Sequence, residues 1–324
     1  MRAVVAHAFG SPADLSVEEM DPPVPRRDEV VIDVRAAGVN YPDLLVVDGS
    51  YQNLPPLPFT PGKEVAGTVT RTGSDVTRPR VGDRVLAQME YGGYREVASA
   101  PAAACVALPE AMPYPEAAGF GLVHLTAHAA LVRRAGLRPG ETVLVTGASG
   151  AVGTAAVQLA KALGATVIAA ARDASGRDGA LSYGADHAVR ADPGTMRDEV
   201  RTLTGGRGAD VVLETVGGGV FDASLRCVAW EGRLVVVGFA AGDIPTVRVG
   251  YLLVKNIGLL GLQVSDYRDR QPEAARAALA QMLEMYQAGL LRVAVSRTYP
   301  LEDAPEALAR VRTGGLAGRV VLVS

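Results

Sequence analysis

Apolar and polar positions follow two different patterns along this chain. Up to about Gly121, short β-branched runs such as VVIDVRAAGV, TVTRTG and GDRVLAQM are separated by Pro and Gly clusters, which predicts a compact, strand-rich domain. From about Leu122, continuous apolar runs (ETVLVTG, ATVIAAA, ADVVLETV, GRLVVVGF) alternate with helix-period stretches such as TMRDEVRTLT. Strands that are apolar throughout are covered on both faces, and their alternation with helices predicts right-handed βαβ units in a parallel, doubly wound sheet. Beyond Leu262 come a polar stretch (SDYRDRQPE), a long Ala/Leu/Met helix, a strand VAVSRTYP, a helix from Leu301 and a final GRVVLVS. No helix follows that last strand, so it is expected to return to the sheet of the first domain.

Composition narrows the function classes. At 324 residues the chain exceeds the size at which one core stops growing, so two domains are expected. With 48% hydrophobic and 21% charged residues it can build cores, and it shows no collagen-like or heptad period; disordered and fibrous classes are excluded. A net charge of -3 argues against coating nucleic acid, which takes an excess of Lys and Arg to neutralise phosphates. No apolar run approaches the roughly 18 residues of a membrane helix, and MRAVVAHAFG lacks the apolar core of a signal peptide, so a cytoplasmic protein is expected. The 2 Cys, Cys105 and Cys227, are far apart, which excludes a disulfide framework and a structural zinc built from thiolates; the count of 2 Cys and 4 His does not exclude a catalytic zinc.

The stretch with the most chemistry is VLVTGASGAVGTAAVQLAKALGA, Val143 to Ala165. An apolar strand ends at Gly147, Gly150 and Gly153 follow at three-residue steps, and an amphipathic helix opens directly. Such glycines serve a tight strand-to-helix turn, close backbone approach to a pyrophosphate, and close packing of helix on strand, while the helix N-terminus offers free N–H groups to phosphate. Dinucleotide binding is the reading. At the end of the next strand, where a carboxylate would take the ribose 2′-hydroxyl of NAD, stand Ala170, Ala171 and then Arg172, with Arg177 nearby; a forked cation suits the 2′-phosphate of NADP. Asp173 is the competing feature, because a small backbone shift would aim it at a hydroxyl instead.

At this point the chain resembles the quinone oxidoreductase, or zeta-crystallin-like, branch of the medium-chain dehydrogenase/reductase superfamily over essentially its full length. The resemblance is carried by AAGVNYPDLLVVDGSY, PLPFTPGKEVAGTV, VGDRV, GGYREV, the Leu125-Thr126-Ala127 step before RPGETVLVTGASGAVG, ADVVLETVGG, GRLVVVGFAAG, LLVKN and GRVVLVS. It implies a GroES-like catalytic domain (residues 1–121 and 263–324) wrapped from both ends around a Rossmann domain (122–262), with NADPH in the cleft. Zinc alcohol dehydrogenases of that superfamily carry a Cys where this chain has Asn40 and a His where it has Lys63, and they have a four-Cys lobe that is missing here, so no metal site is expected. His124 and His128 are four apart on an expected helix but lack a third ligand.

Without zinc to polarise an alcohol or ketone, the reaction implied is hydride transfer to an already electron-poor acceptor. By family position Asn40 and Tyr51 face the substrate as catalytic hydrogen-bond donors. Their plainer readings are a turn-forming Asn and a core or rim Tyr. Tyr41 is a candidate pocket wall and Asp43 an orienter of the loop. Lys63 either points away or places a cation near an anionic substrate. Cofactor contacts implied by position are Thr126, Ser149, Gly150, Ala151, Val152 and Arg172, then Phe239, Ala240 and Leu260 on the nicotinamide side, and Arg319. The activity implied is an NADPH-dependent reductase of quinone-like acceptors. The alternatives are an enone or enoyl-thioester reductase and, in another class, a non-catalytic NADPH-binding protein. A homodimer is expected through the apolar stretch LLVKNIGLLGLQV.

Overall fold

The computed structural model describes residues 1–315 and 318–324. The chain divides into two units, Met1–Leu122 with Tyr267–Gln287 and Arg292–Ser324, and Val123–Asp266 with Ala288–Leu291. The boundaries expected after 121 and 262 compare with 122 and 266 here, and the short stretch Ala288–Leu291 groups with the second unit.

In the first unit a seven-stranded sheet runs in the order Val295–Pro300, Arg319–Val323, Glu29–Val39, Glu64–Thr72, Arg84–Gln88, Cys105–Ala107, with Val97–Pro101 also paired to Glu29–Val39. The alternating apolar residues Val30, Ile32 and Val34 drive the long strand Glu29–Val39 into the core beside Val65, Val85 and Leu322. The closing strand Arg319–Val323 does return to this sheet: it lies antiparallel to Glu29–Val39, with Val321 opposite Gly38. Pro42 sits at the start of the short helix Tyr41–Val47, where a missing N–H costs nothing.

In the second unit six strands pair in parallel in the order His187–Arg190, Thr166–Ala171, Thr142–Thr146, Ala209–Glu214, Val228–Val236, Gly258–Gly261. Val143, Leu144, Val145, Val211, Val212 and Leu213 are all fully buried, as strands covered on both faces require. The strand order reverses between Thr142–Thr146 and Ala209–Glu214, and at such a switch point the carboxyl ends of the strands leave a crevice for a ligand. Among the described residues no helix is long and apolar enough to cross a membrane.

Candidate active site

In the first unit the candidate residues gather in a buried polar cluster where Glu29–Val39 ends and Glu64–Thr72 begins. Asn40 precedes the helix Tyr41–Val47; its N–H donates to Asp43 Oδ2 (2.9 Å) and its carbonyl accepts from the Asp43 N–H (3.0 Å), so the two residues lock the helix start. The Asn40 side chain is only 2% exposed. Its Nδ2 donates to Gly38 O (3.2 Å) and Glu64 Oε1 (3.0 Å), and its Oδ1 accepts from Arg319 Nη2 (2.6 Å).

Two expectations change here. An amide with both hydrogens and its oxygen engaged is not a free donor, so Asn40 holds Glu64 and Arg319 together rather than presenting an N–H to an acceptor. Arg319, expected at the cofactor, is buried: Nε donates to Gly119 O (3.0 Å) and Nη2 to Asn40 and Glu64 (3.2 Å). Glu64 is fully buried and accepts a third bond from the Leu122 N–H (2.7 Å). Burial raises its carboxyl above the ordinary 4.5, and the Arg319 charge opposes that rise.

Asp43 lies in the same cluster, 1% exposed, and accepts from the Tyr94 hydroxyl (2.9 Å) as well as from Asn40. Burial pushes its carboxyl from 3.8 up to about 6, against the pull of Lys63, the two hydrogen bonds and Arg319. Since the folded pKa lies above the ordinary one, Asp43 supports the fold most below about pH 4, and this contribution is lost as pH rises through about 6. At about 1.4 kcal/mol per unit, wild type should lose about 3 kcal/mol relative to D43N between about pH 4 and 7. Urea denaturation of both proteins at the two pH values reads this directly, and a pH-independent gap would refute it.

Lys63 is 2% exposed, and its ammonium donates to Glu90 O (3.0 Å) and Glu90 Oε1 (2.6 Å) while lying 4.4 Å from the ring centroid of Tyr51. Tyr51 is partly buried against the core, and among the described residues its hydroxyl has no hydrogen-bond partner. Tyr41, the first residue of its helix, is 38% exposed.

The second unit assembles its candidates at the carboxyl ends of the strands. Gly147 takes φ +59°, and a side chain there would place Cβ 2.4 Å from Thr215 Oγ1. Gly150 caps the helix Ala151–Ala162 without a side-chain oxygen, which leaves the first-turn N–H groups at Ala151, Val152 and Gly153 turned toward any incoming anion. A Cβ at Gly153 would stand 2.2 Å from Gly147 O and 2.7 Å from Ala148 Cα, so helix and turn touch backbone to backbone. This cradle fits a dinucleotide pyrophosphate. The next helix, Ala174–Ser182, passes so near that a Cβ at Gly176 would meet Ser149 Cβ at 2.9 Å.

Arg172 is exposed immediately after the strand Thr166–Ala171, and Arg177 is half-buried one helical turn further on. Asp173, the competing feature, has its carboxylate engaged as the helix cap, accepting from the Gly176 N–H (2.8 Å). Thr126 is 6% exposed in the helix Gly121–His128. Phe239, in the loop after the strand Val228–Val236, and Leu260, within the strand Gly258–Gly261, are half-buried. The Ala240 N–H donates to Thr215 O (3.1 Å).

Several organising residues were not singled out from sequence. Glu214, fully buried at the end of ADVVLETV, accepts from Thr146 Oγ1 (3.1 Å) and from the N–H groups of Val216 (2.9 Å) and Gly217 (3.1 Å). With Thr215 Oγ1 donating to Thr146 O (3.0 Å), it pins the two strands at the switch point. A carboxylate closing a run of buried aliphatics was a readable signal. Glu90 and its partner Arg268 (2.7 Å) lie 178 residues apart and gave none.

An alcohol dehydrogenase GroES-like domain profile matches residues 26–110 and a zinc-binding dehydrogenase profile residues 151–283. Quinone oxidoreductase-like protein 2 of Mus musculus is 37% identical over 309 residues, covering 95% of this chain and 88% of the relative. The chain belongs to the quinone oxidoreductase branch of the medium-chain dehydrogenase/reductase superfamily. Among solved relatives of this reductase, Escherichia coli quinone oxidoreductase complexed with NADPH superposes with a TM-score of 0.92 at 29% identity over 100% of both chains. The CurK enoyl reductase superposes at 0.90 with 26% identity, covering 99% of this chain and 98% of that one. The zinc named by the second profile does not fit this oxidoreductase: Lys63 is a cation held by Glu90, the Asn40 amide is consumed by Glu64 and Arg319, and no group of three or more His, Cys, Asp or Glu among the described residues is placed to hold a metal.

Proposed function

We propose that this oxidoreductase transfers hydride from NADPH to a quinone or similarly electron-poor acceptor without a metal. The observation that carries the reading is the donor set: at the two positions where zinc relatives carry Cys and His, the side chains are an engaged amide and an ion-paired ammonium. Neither polarises a carbonyl as a Lewis acid, which restricts the reaction to acceptors that are activated by their own conjugation. Bound NADPH supplies the hydride. The first-turn N–H groups of Ala151, Val152 and Gly153, with Ser149, hold the pyrophosphate; Arg172 and Arg177 hold the 2′-phosphate; Thr126 and the backbone at Phe239 and Leu260 border the nicotinamide. The Tyr51 hydroxyl, without a hydrogen-bond partner among the described residues, donates to the acceptor oxygen that gains charge.

Consumption of NADPH with phenanthrenequinone tests the activity; binding of NADPH with no turnover across a quinone panel overturns it and leaves a non-catalytic NADPH-binding protein. The likeness to an enoyl reductase favours a second reading, reduction of a C=C bond conjugated to a carbonyl, and turnover of crotonyl-CoA with quinones ignored would establish it. Replacing Arg172 by Ala should weaken NADPH about 10- to 100-fold, the equivalent of about 1.5–3 kcal/mol for hydrogen bonds to a charged group, and leave NADH within about twofold. Equal losses, measured by calorimetry, would refute the phosphate assignment.

The same reading places the protein in the cytoplasm, without nucleic-acid or membrane partners, as a homodimer. The strand Gly258–Gly261 is the sheet edge, and the preceding helix exposes Val249 (75%), Leu253 (77%) and Val254 (74%), an apolar face that a second copy would cover. A monomer in sedimentation at micromolar concentration would overturn the dimer.

A further inference from the structure

We propose that Lys63 is a positioning residue that holds the Tyr51 ring in place through Glu90, and that the site it belongs to takes an uncharged acceptor. The proposal rests on the reading above that Tyr51 faces that acceptor.

An ammonium has three N–H donors and no acceptor. At Lys63 two of them go to Glu90, one to the carbonyl and one to the carboxylate, and the charge lies 4.4 Å from the centroid of Tyr51. The remaining Glu90 oxygen accepts from Arg268 Nη2 (2.7 Å), which also bonds to Asp269. Lys63 and Arg268 therefore face two carboxylates, Glu90 and Asp269, and the excess positive charge needed to attract an anionic acceptor is cancelled where it stands. Burial at 2% exposure prevents the ammonium from swinging outward without breaking all three interactions.

The effect of this arrangement falls on Tyr51. The residue follows the helix Tyr41–Val47, and its N–H reaches back to Leu45 O (3.1 Å), which fixes the backbone but not the direction of the hydroxyl. A cation over the ring face is attracted by the ring's negative face and so favours one ring plane and one direction of the hydroxyl. Lys63 thus ties the segment carrying Tyr51 to the segment carrying Glu90 and, through it, to Arg268. Those segments also expose the apolar side chains Leu54 (43%), Leu57 (40%) and Tyr91 (43%), groups that suit an uncharged ring.

The test uses the full chain with K63M, K63R, Y51F and the K63M/Y51F pair, assayed with 1,4-naphthoquinone and its 2-sulfonate. K63M should lower kcat about tenfold for both acceptors with KM within about twofold, K63R should recover at least half of the loss, and K63M should add little in the Y51F background, since a lost hydroxyl needs no orientation. A rise in KM confined to the sulfonate would show that Lys63 binds anionic acceptors and would overturn the proposal, as would losses that multiply in the double variant. A second readout needs no turnover. The chain has lysines only at Lys63, Lys161 and Lys255, so reductive methylation with 13C-formaldehyde gives resolvable signals. Lys63 should react at least about tenfold more slowly than the exposed Lys255 and speed up in Y51L; equal rates in wild type overturn the bridge. Should wild type reduce neither quinone, the quinone reading fails by itself and the methylation rates alone decide for or against Lys63.

Discussion

Replacing Arg319 by Met lowers the unfolding free energy of the first unit by about 3–5 kcal/mol at neutral pH, the cost of stranding one member of a buried ion pair. Glu64 is fully buried, and with Arg319 gone its carboxylate keeps only the Asn40 amide and the Leu122 N–H. The acid must then be buried charged and unpaired or take up a proton. Its pKa in the folded protein, already above 4.5 because of burial, rises further once the opposing guanidinium is removed. A raised folded pKa gives stability below the ordinary value that disappears as pH increases, so the deficit of R319M should shrink below about pH 4.5. The double variant R319M/E64Q should recover at least half of the loss at neutral pH, since it removes the stranded charge. Urea denaturation followed by circular dichroism reads all three. A deficit under about 1 kcal/mol would mean that the pair contributes no more than an exposed one.

Gly153→Val should abolish useful NADPH binding, weakening it about 100-fold or more, and destabilise the second unit by about 3 kcal/mol. The atoms that a Cβ would meet, Gly147 O at 2.2 Å and Ala148 Cα at 2.7 Å, belong to the backbone of the turn itself, so the clash is relieved only by moving the turn that forms the phosphate cradle. Gly179 is the internal control. It lies in the helix Ala174–Ser182 with nothing within 4 Å of its would-be Cβ, and Gly179→Ala should stabilise by about 0.5–1 kcal/mol with NADPH affinity unchanged. If G153V binds NADPH within a few-fold of wild type, the assignment of this turn as the pyrophosphate site falls.

What could be read beforehand was whatever the backbone itself demands. A glycine at 153 is needed because two backbones touch six residues apart, and both the turn and the helix it opens are local in sequence. The six-stranded parallel sheet was legible for a similar reason, since strands buried on both faces must be apolar throughout, and the last strand's return to the first sheet followed from its lack of a succeeding helix. Side-chain roles were read less well because their partners are remote. Asn40 is a capable donor on paper, and what engages its amide comes from 24 and 279 residues away. Lys63 has two possible meanings in the sequence, and the residues that decide between them, Glu90 and Tyr51, are 27 and 12 positions away. Arg172 and Asp173 form the intermediate case: adjacent in sequence and opposite in charge, they differ in surroundings that only the structure gives, Asp173 capping the nine-residue helix Ala174–Ser182 by accepting from the Gly176 N–H.

The seam at Arg319 also dictates an order of events during synthesis. The second unit is nearly continuous in the chain, so its strands can pair as they emerge, in the sequence in which they are made. The first unit cannot finish its sheet at that stage: the strand Arg319–Val323 sits between Val295–Pro300 and Glu29–Val39, and the cation that neutralises Glu64 arrives 255 residues after it. Until then the nascent chain carries an open edge at Ala36–Val39, the part of its strand that Val97–Pro101 does not cover, and a carboxylate without its counter-charge, the features that recruit chaperones and invite mispairing. Truncation or ribosome pausing shortly before residue 319 should therefore trap a species whose dinucleotide-binding half is native while its other half stays protease-sensitive.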